Sequence, residues 1–160
     1  MAETMAEDNQ FTIELKHLEG LEFRVRFDQE NMEEILVGKP LSSSGGSGPN
    51  ASRLLAAAAA NCLSASLLYC IGKNEPPPGS LRTRATCHLH RNEQGRTRIQ
   101  RIAITLEVNG ALEQALRKKR CLELYEDFSV VTASLRQGFP VDVCVVNKQG
   151  ETLHQSPLPE

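Results

Sequence analysis

The longest run of the chain without a charged side chain covers residues 54–72, and it constrains the fold more than any other feature. It reaches the length of about 18 to 20 residues that a membrane-spanning helix requires. Alanine dominates it, however, and Asn61, Ser64 and Ser66 interrupt it, whereas the rest of the chain alternates as soluble strands do. The sequence therefore predicts a long central helix that its own protein buries on most sides, and no membrane partner.

The limits of this helix are marked by residues that favour helix ends. Pro49 and Asn50 stand at its start, and Gly72 is followed by three prolines at 76–78 that cannot continue a helix. A segment rich in serine and glycine, residues 38–48, precedes it. We interpret that segment as a flexible surface connection.

Alternating apolar and polar residues predict antiparallel strands before and after the helix. Residues 11–15 and 21–27 have the pattern of a β-hairpin, and residues 32–37 extend it as a third strand. Residues 81–91 and 98–108 have the pattern of a second hairpin. Each pattern indicates a sheet with one face turned toward a core.

A near-helical repeat predicts a second helix over residues 112–128, and residues 140–146 are predicted to form a last strand. The basic run at residues 118–120 is interpreted as a solvated face, because no aromatic residues are interleaved to stack on bases. The fold class is therefore α+β, with antiparallel strands, a long central helix and a second helix.

Length and charge narrow the domain organisation and the partners. The 160 residues, 40% of them hydrophobic, predict a single domain over residues 11–148, with a disordered acidic tail at 1–10 and a C-terminal tail at 149–160. A net charge of -2 gives no attraction to nucleic acid. The first ten residues are acidic and polar, where a secretory signal would be basic and then apolar, so we expect a cytoplasmic protein.

Cysteine usage indicates free thiols rather than a disulfide framework, because the number is odd and no CxxC pair occurs. The five cysteines stand at positions 62, 70, 87, 121 and 144. Cys87, His88 and His90 share one predicted strand, but alternation places Cys87 on the face opposite the two histidines. No metal site and no cofactor is therefore expected.

Three segments resemble the OsmC/Ohr family of thiol-dependent hydroperoxide reductases. Residues 48–63, GPNASRLLAAAAANCL, match the pattern in which a Gly/Asn/Pro-containing entry, two leucines and small residues lead to a reactive cysteine. The resemblance continues in LELYEDF at 122–128 and GFPVDV at 138–143, and with the element order it covers residues 11–146. It implies an OsmC-like fold and an intertwined homodimer with reactive cysteines near the interface.

The resemblance implies that Cys62 attacks a hydroperoxide substrate as a thiolate and becomes a sulfenic acid. Cys62 lies about three turns into its helix, beyond the reach of that helix's own dipole, so an arginine is expected to lower its pKa. In the family, a glutamate in the first turn of the helix holds this arginine. Here Ser52 stands at that position, and the sequence does not choose among the candidates, which are Arg24, Arg26 and Arg53.

Ser129 stands where the family has the resolving cysteine, and a hydroxyl cannot form a disulfide. Cys121 precedes Ser129 by eight residues, and Cys70 follows Cys62 by eight residues. Each separation is about 12 Å along a helix, which is too long for either cysteine to replace the resolving cysteine. Either the chain is a natural one-cysteine variant that an external thiol reductant resolves, or Ser129 is an introduced substitution. The resemblance also implies an apolar substrate pocket, lined by the helix and by Phe128.

Two functions therefore compete. Cys62 and its flanking residues favour a peroxiredoxin-like hydroperoxide reductase, whereas Ser52 and Ser129 favour a catalytically impaired OsmC-like dimer that binds a small apolar ligand or has a structural role. A thiol hydrolase activated by His17 or His154 is a third class, but no motif places either histidine near Cys62.

Overall fold

The computed structural model describes residues 10–39, 48–72 and 76–156. Its contacts divide the chain into two compact units. The first unit comprises Met1–Ala58 and Ala85–Ile104, and the second comprises Ala59–Arg84 and Thr105–Glu160. The predicted tail at 1–10, most of the predicted connection at 38–48 and the last four residues lie largely or wholly outside the described residues.

Three antiparallel strands form the sheet of the first unit. They are β1 (Glu14–His17), β2 (Phe23–Arg26) and β3 (Ile35–Val37), in the order β1-β2-β3. Val25 and Val37 are buried at 5% and 8% exposure, so one face of β2 and β3 carries apolar packing. The three predicted strands are confirmed as elements, although β1 lies later in the chain than residues 11–15.

Helix α1 (Ala51–Cys70) follows, and its start and end agree with the sequence signals. Asn50 Oδ1 accepts a hydrogen bond from the Arg53 N–H at 3.0 Å, which caps the first turn. At the other end, Gly72 adopts φ 67°, a conformation that glycine reaches without strain.

Only one stripe of α1 is buried by the chain itself. The buried positions recur at intervals of three and four residues, and they are Ala56, Ala59, Leu63 and Leu67. Tyr69 is 84% exposed. The prediction that the protein buries this helix on most sides is therefore wrong for the single chain. By length and composition alone α1 could cross a membrane, with 22% of its most apolar window buried, but the core helix of a soluble protein passes the same test.

Strands β4 (Leu81–Arg91) and β5 (Thr97–Val108) form a two-stranded sheet, as the sequence predicts. Asn92 Oδ1 accepts hydrogen bonds from the backbone N–H groups of Gln94 and Arg96, which closes the turn between the strands. Within the second unit, Leu106 and Val108 pack against the core.

The predicted helix over residues 112–128 is wrong, because the chain forms α2 (Gly110–Lys118) and the short α3 (Cys121–Leu124), with a break between them. At the break, Arg120 adopts the left-handed conformation at φ 55°. Lys119 Nζ donates to the Ile71 carbonyl at 3.2 Å. This hydrogen bond joins residues that are 48 positions apart, and a local helical repeat cannot indicate such a contact.

A further helix, α4 (Val130–Gln137), starts after Ser129, in a region that the sequence did not predict to be helical. The chain then forms the antiparallel hairpin of β6 (Cys144–Val146) and β7 (Thr152–Gln155). The last predicted strand is thus shorter than residues 140–146. The prediction that residues 149–160 form a tail is wrong at β7.

The core of the second unit contains Leu67, Ile71, Leu112, Leu116 and Cys121, each at 2% exposure or less. Cys121 forms a disulfide with Cys70, with a Cα–Cα separation of 5.7 Å. The expectation that all five thiols are free is therefore wrong for this pair. The odd number of cysteines and their spacing in the sequence do not indicate which cysteines the fold brings together.

Candidate active site

The candidate site lies where the middle of α1 meets the N-terminus of α4, within the second unit. Cys62 projects from α1 as a half-buried free thiol. Ser129 is the residue that precedes α4, has an extended backbone at φ -80° and ψ 97°, and is completely buried. The two residues are far apart in sequence, and the fold brings their side chains into hydrogen-bonding contact.

Three hydrogen-bond donors from this region lower the pKa of the Cys62 thiol. One is the Ser129 hydroxyl, and the other two are the backbone N–H groups of Val130 and Val131. The first N–H groups of an α-helix have no partner within their own helix, and they carry the partial positive charge of the helix dipole. The start of α4 therefore brings partial positive charge to the Cys62 thiol.

The hydrogen bonds change the acidity of the thiol. Burial is the largest single influence and raises the pKa of Cys62, because it disfavours the charged thiolate. The hydrogen bonds from Ser129, Val131 and Val130 act in the opposite direction, and the net pKa of Cys62 lies below the ordinary value of 9.0. The arrangement thus favours a thiolate, which is the nucleophilic form of cysteine.

Ser129 does not cap α4 in the usual way, since its side chain makes no hydrogen bond to the backbone of the first turn. Instead, its hydroxyl oxygen accepts a hydrogen bond from Thr132 Oγ1 at 2.6 Å. Thr132 is 7% exposed. The Ser129 hydroxyl therefore has two partners. It accepts a hydrogen bond from Thr132, and its own proton is available to the Cys62 sulfur.

Backbone and side-chain contacts hold this helix start in place. The Ser129 N–H donates to the Glu126 carbonyl at 3.2 Å, and the Ala133 N–H donates to the Ser129 carbonyl at 3.0 Å. Glu126 also pairs with Arg136 near the end of α4 at 2.7 Å. Both side chains of that pair are exposed, so it contributes little to stability, but it links the preceding turn to the helix.

The three arginines considered from the sequence belong to the first unit. Arg24 Nε lies 3.5 Å from Glu34, which directly precedes β3, and Arg26 ends β2. Arg53 is exposed in the first turn of α1, next to half-buried Ser52. The arginine that would lower the pKa of Cys62 stays a prediction.

The other reactive residue types are dispersed. Cys87 is half-buried and Cys144 is exposed, and both are free thiols, whereas Cys70 and Cys121 are joined. His88 lies 3.5 Å from Arg101. Within residues 10–39, 48–72 and 76–156, no group of three or more His, Cys, Asp or Glu side chains is placed to hold a metal ion.

A hollow of about 930 Å³ lies beside the last turns of α1 in the second unit. Ala65, Leu68 and Tyr69 contribute to it from α1, and residues 76–81 form its other side. Phe128 is 64% exposed and does not line this hollow. The substrate pocket that includes Phe128 stays a prediction.

Comparison with known proteins shows the family. The family model described as OsmC-like protein matches residues 44–143, more than half of the 160 residues, and the chain therefore belongs to the OsmC-like family. A search of curated proteins finds no match.

Solved structures agree on the fold. An OsmC-like protein of unknown function from Vibrio cholerae is similar at a TM-score of 0.57 and 14% identity, over 78% of this chain and 92% of that one. A hypothetical protein from Aquifex aeolicus is similar at a TM-score of 0.54 and 19% identity, over 81% and 89% of the two chains. These similarities support the mixed α/β architecture with antiparallel strands.

Sequence reasoning did not identify the amides of Val130 and Val131 or the hydroxyl of Thr132. The sequence signal was a serine at 129 in a position suited to precede a helix, followed by residues that continue one. The predicted second helix ends at Phe128 and therefore does not include this helix start.

Proposed function

We propose that the chain is a thiol-dependent hydroperoxide reductase that uses Cys62 as its peroxide-attacking thiol. The observation that carries this proposal is the lowered pKa of the Cys62 thiol, to which the Ser129 hydroxyl and the backbone N–H groups of Val130 and Val131 contribute as hydrogen-bond partners. They stabilise negative charge on the sulfur, which a nucleophilic thiol needs. Membership of the OsmC-like family supports the same chemistry.

In the proposed reaction, the thiolate attacks the terminal oxygen of the hydroperoxide. A sulfur–oxygen bond forms as the oxygen–oxygen bond breaks, Cys62 becomes a sulfenic acid, and the released alkoxide or hydroxide takes a proton from solvent. The thiol is oxidised by two electrons and the peroxide is reduced by two. The α4 amides favour the starting thiolate.

The sulfenic acid is then resolved by an external thiol, since the Ser129 hydroxyl beside it cannot form a disulfide. A first thiol condenses with the sulfenic acid, which gives a mixed disulfide and water. A second external thiol then attacks the mixed disulfide. This step releases the Cys62 thiol and leaves the two external thiols joined as a disulfide. In each catalytic cycle, one hydroperoxide and two thiols give one alcohol, one water and one disulfide.

The test is the consumption of an organic hydroperoxide by the purified protein in the presence of excess monothiol. The wild-type chain should consume the hydroperoxide catalytically, and Cys62→Ser should not. Cys144→Ser, which removes an exposed free thiol, is the matched control and should retain the wild-type rate. Equal rates for wild type and Cys62→Ser would refute the proposal.

A catalytically impaired, ligand-binding protein is the second candidate. Two observations favour it: the buried hydroxyl of Ser129 beside Cys62, and the hollow of about 930 Å³ along α1. In that case Cys62 would react once with hydroperoxide, without turnover. An apolar fluorescent probe would bind, and Tyr69→Lys would weaken that binding.

We further propose that the protein works as a cytoplasmic homodimer. Apolar residues of α1 away from the buried stripe are exposed in the single chain, among them Ala58, Ala65 and Tyr69, the last at 84% exposure. The β6–β7 hairpin is exposed on both faces, and an isolated two-stranded sheet is only marginally stable. A second copy of the chain that packs on these surfaces would bury the exposed apolar residues of α1 and would support the β6–β7 hairpin.

A further inference from the structure

We propose that Thr132 is a positioning residue, whose hydroxyl fixes the direction of the Ser129 proton so that Ser129 donates to the Cys62 sulfur. The proposal rests on the proposed function of Cys62 and extends it by one side chain. Thr132 itself does not touch the sulfur in this role. It acts through Ser129.

The direction of the hydrogen bonds carries the inference. A serine hydroxyl has one proton and two lone pairs, so it can donate once and still accept. Thr132 Oγ1 donates to Ser129 Oγ at 2.6 Å, which occupies a lone pair of Ser129 and leaves its proton for another acceptor. We infer that the Cys62 sulfur is that acceptor, because the Ser129 hydroxyl lowers the pKa of the Cys62 thiol as a hydrogen-bond partner. The chain of donation therefore runs from Thr132 to Ser129 to Cys62.

Burial makes this chain of donation effective. Ser129 is completely buried and Thr132 is 7% exposed, so water does not compete for the Ser129 oxygen. In such an environment successive hydrogen bonds polarise one another, and the terminal donor becomes stronger. A Ser129 hydroxyl polarised by Thr132 is thus a better donor to a thiolate than an isolated serine would be.

The position of Thr132 in α4 also restricts its hydroxyl. Thr132 lies one turn after Ser129, on the same side of the helix, and a β-branched side chain in a helix has few rotamers. Its hydroxyl is therefore held toward Ser129 rather than free to rotate.

The competing interpretation is that Ser129 and Thr132 only satisfy each other as buried polar groups. That interpretation predicts a loss of stability when either hydroxyl is removed, but no change in the reactivity of Cys62. The two interpretations differ in the acidity of the Cys62 thiol, which is measurable without any peroxide chemistry.

The test compares Thr132→Val, which keeps the shape and removes the hydroxyl, with Thr132→Ser, which retains a hydroxyl. The rate of alkylation of Cys62 by iodoacetamide is measured against pH on the folded protein, with quantification of the Cys62 peptide by mass spectrometry. Below the pKa of the thiol, Thr132→Val should react about threefold to tenfold more slowly, the range for loss of one typical hydrogen bond. At high pH, where every form is ionised, the rates should converge. Thr132→Ser should follow the wild type.

A double-mutant cycle tests whether Thr132 acts through Ser129. In a Ser129→Ala background, Thr132→Val should have no further effect on the alkylation profile. An additional slowing in that background would overturn the proposal, and so would a Thr132→Val variant that melts at a lower temperature with an unchanged profile.

The outcome is separable from that of the proposed function. If the wild type fails to turn over hydroperoxide but Thr132→Val still shifts the alkylation profile, the positioning role holds and the reductase function fails. If the wild type turns over and the profile does not shift, the reverse is true.

Discussion

The Cys62 thiol lies beside the start of α4, and the residues of that helix start change its acidity. Ser129 precedes α4 without capping its first turn, and its hydroxyl and the N–H groups of Val130 and Val131 lower the pKa of Cys62. A thiolate suits this position because the amide donors and the helix dipole favour negative charge. The identity of residue 129 therefore affects the acidity of Cys62 as well as the fate of its oxidised form.

The lowered pKa of Cys62 predicts how its alkylation depends on pH. Folding lowers this pKa below the ordinary 9.0, so the midpoint of the alkylation profile should lie below that of the same cysteine in denaturant. In linkage terms, the stabilisation is fully present above the unfolded pKa and is lost as pH falls through the lowered folded value. Quantification of the Cys62 peptide in both states checks the prediction, and coincident midpoints would contradict it.

Ser129→Cys should change how the sulfenic acid is resolved. The introduced thiol would replace a hydroxyl that already contacts Cys62, so a disulfide between the two positions should form after one equivalent of peroxide. Turnover with a dithiol reductant should rise, and over-oxidation of Cys62 to the sulfinic acid should fall. Intact mass and steady-state rate measure both effects.

Ser129→Ala is the control for that experiment, because it removes the hydroxyl without adding a thiol. It should form no disulfide, and its Cys62 should alkylate more slowly than that of the wild type below the pKa. If Ser129→Cys forms no bond to Cys62 and its rate is unchanged, residue 129 is not a resolving position.

At the scale of the elements, local signals were sufficient where a segment's pattern was strong. The boundaries of α1 followed from Asn50 and Gly72, and the second hairpin was predicted almost to the residue. The prediction of one continuous helix after β5 was wrong because contacts between distant segments act there. Arg120 breaks the helical repeat, and Cys121 enters the core and is joined to Cys70. Such contacts between distant segments have no local signature.

The Cys70–Cys121 disulfide should stabilise the second unit substantially. Its cysteines are 51 residues apart in sequence, and closing a loop of that size is worth about 4 kcal/mol in the chain-entropy description. Replacing both cysteines by alanine should therefore lower the free energy of unfolding by an amount of that order. Urea denaturation measures it.

Cys144→Ala serves as the control for the disulfide prediction, because Cys144 is exposed and unpaired. It should unfold at the wild-type urea concentration. An equal midpoint for the double alanine variant would mean that the pair contributes nothing in solution. Titration of free thiols in the denatured protein tells whether the bond is formed.

At the scale of the whole molecule, the apolar composition of α1 exceeds what one chain covers. The stripe of Ala59, Leu63 and Leu67 is buried, while Tyr69 is 84% exposed. The sequence indicated the length and hydrophobicity of this helix correctly, but it could not show how much of the helix the same chain would cover. That quantity depends on how many elements pack on it.

The homodimer prediction is tested by sedimentation equilibrium. The wild type should have twice the chain mass of 17.6 kDa at micromolar concentration. Tyr69→Lys, which introduces a charge on the exposed apolar face, should shift the protein toward monomer. Gln94→Lys adds the same charge in the exposed turn between β4 and β5 and should remain dimeric. A wild type that sediments as a monomer would contradict the prediction.

The candidate site was only partly accessible from the sequence. Resemblance selected Cys62 and drew attention to Ser129, because both stand in segments that match the family pattern. The amide donors could not be found that way, since backbone N–H groups have no residue type and become donors only where a helix starts. The expectation of an arginine came from the dipole of α1 and from the family resemblance, and it stays a prediction.

The most direct test of the central claim is the site of first oxidation by limiting hydroperoxide. The folded protein is treated with less than one equivalent of peroxide, sulfenic acids are trapped with a dimedone-type reagent, and the Cys62, Cys87 and Cys144 peptides are quantified by mass spectrometry. We expect the label on Cys62 first and in large excess, and we expect the excess to disappear when the protein is denatured before treatment. Equal or faster labelling of Cys87 or Cys144 in the folded protein would show that the start of α4 does not activate Cys62.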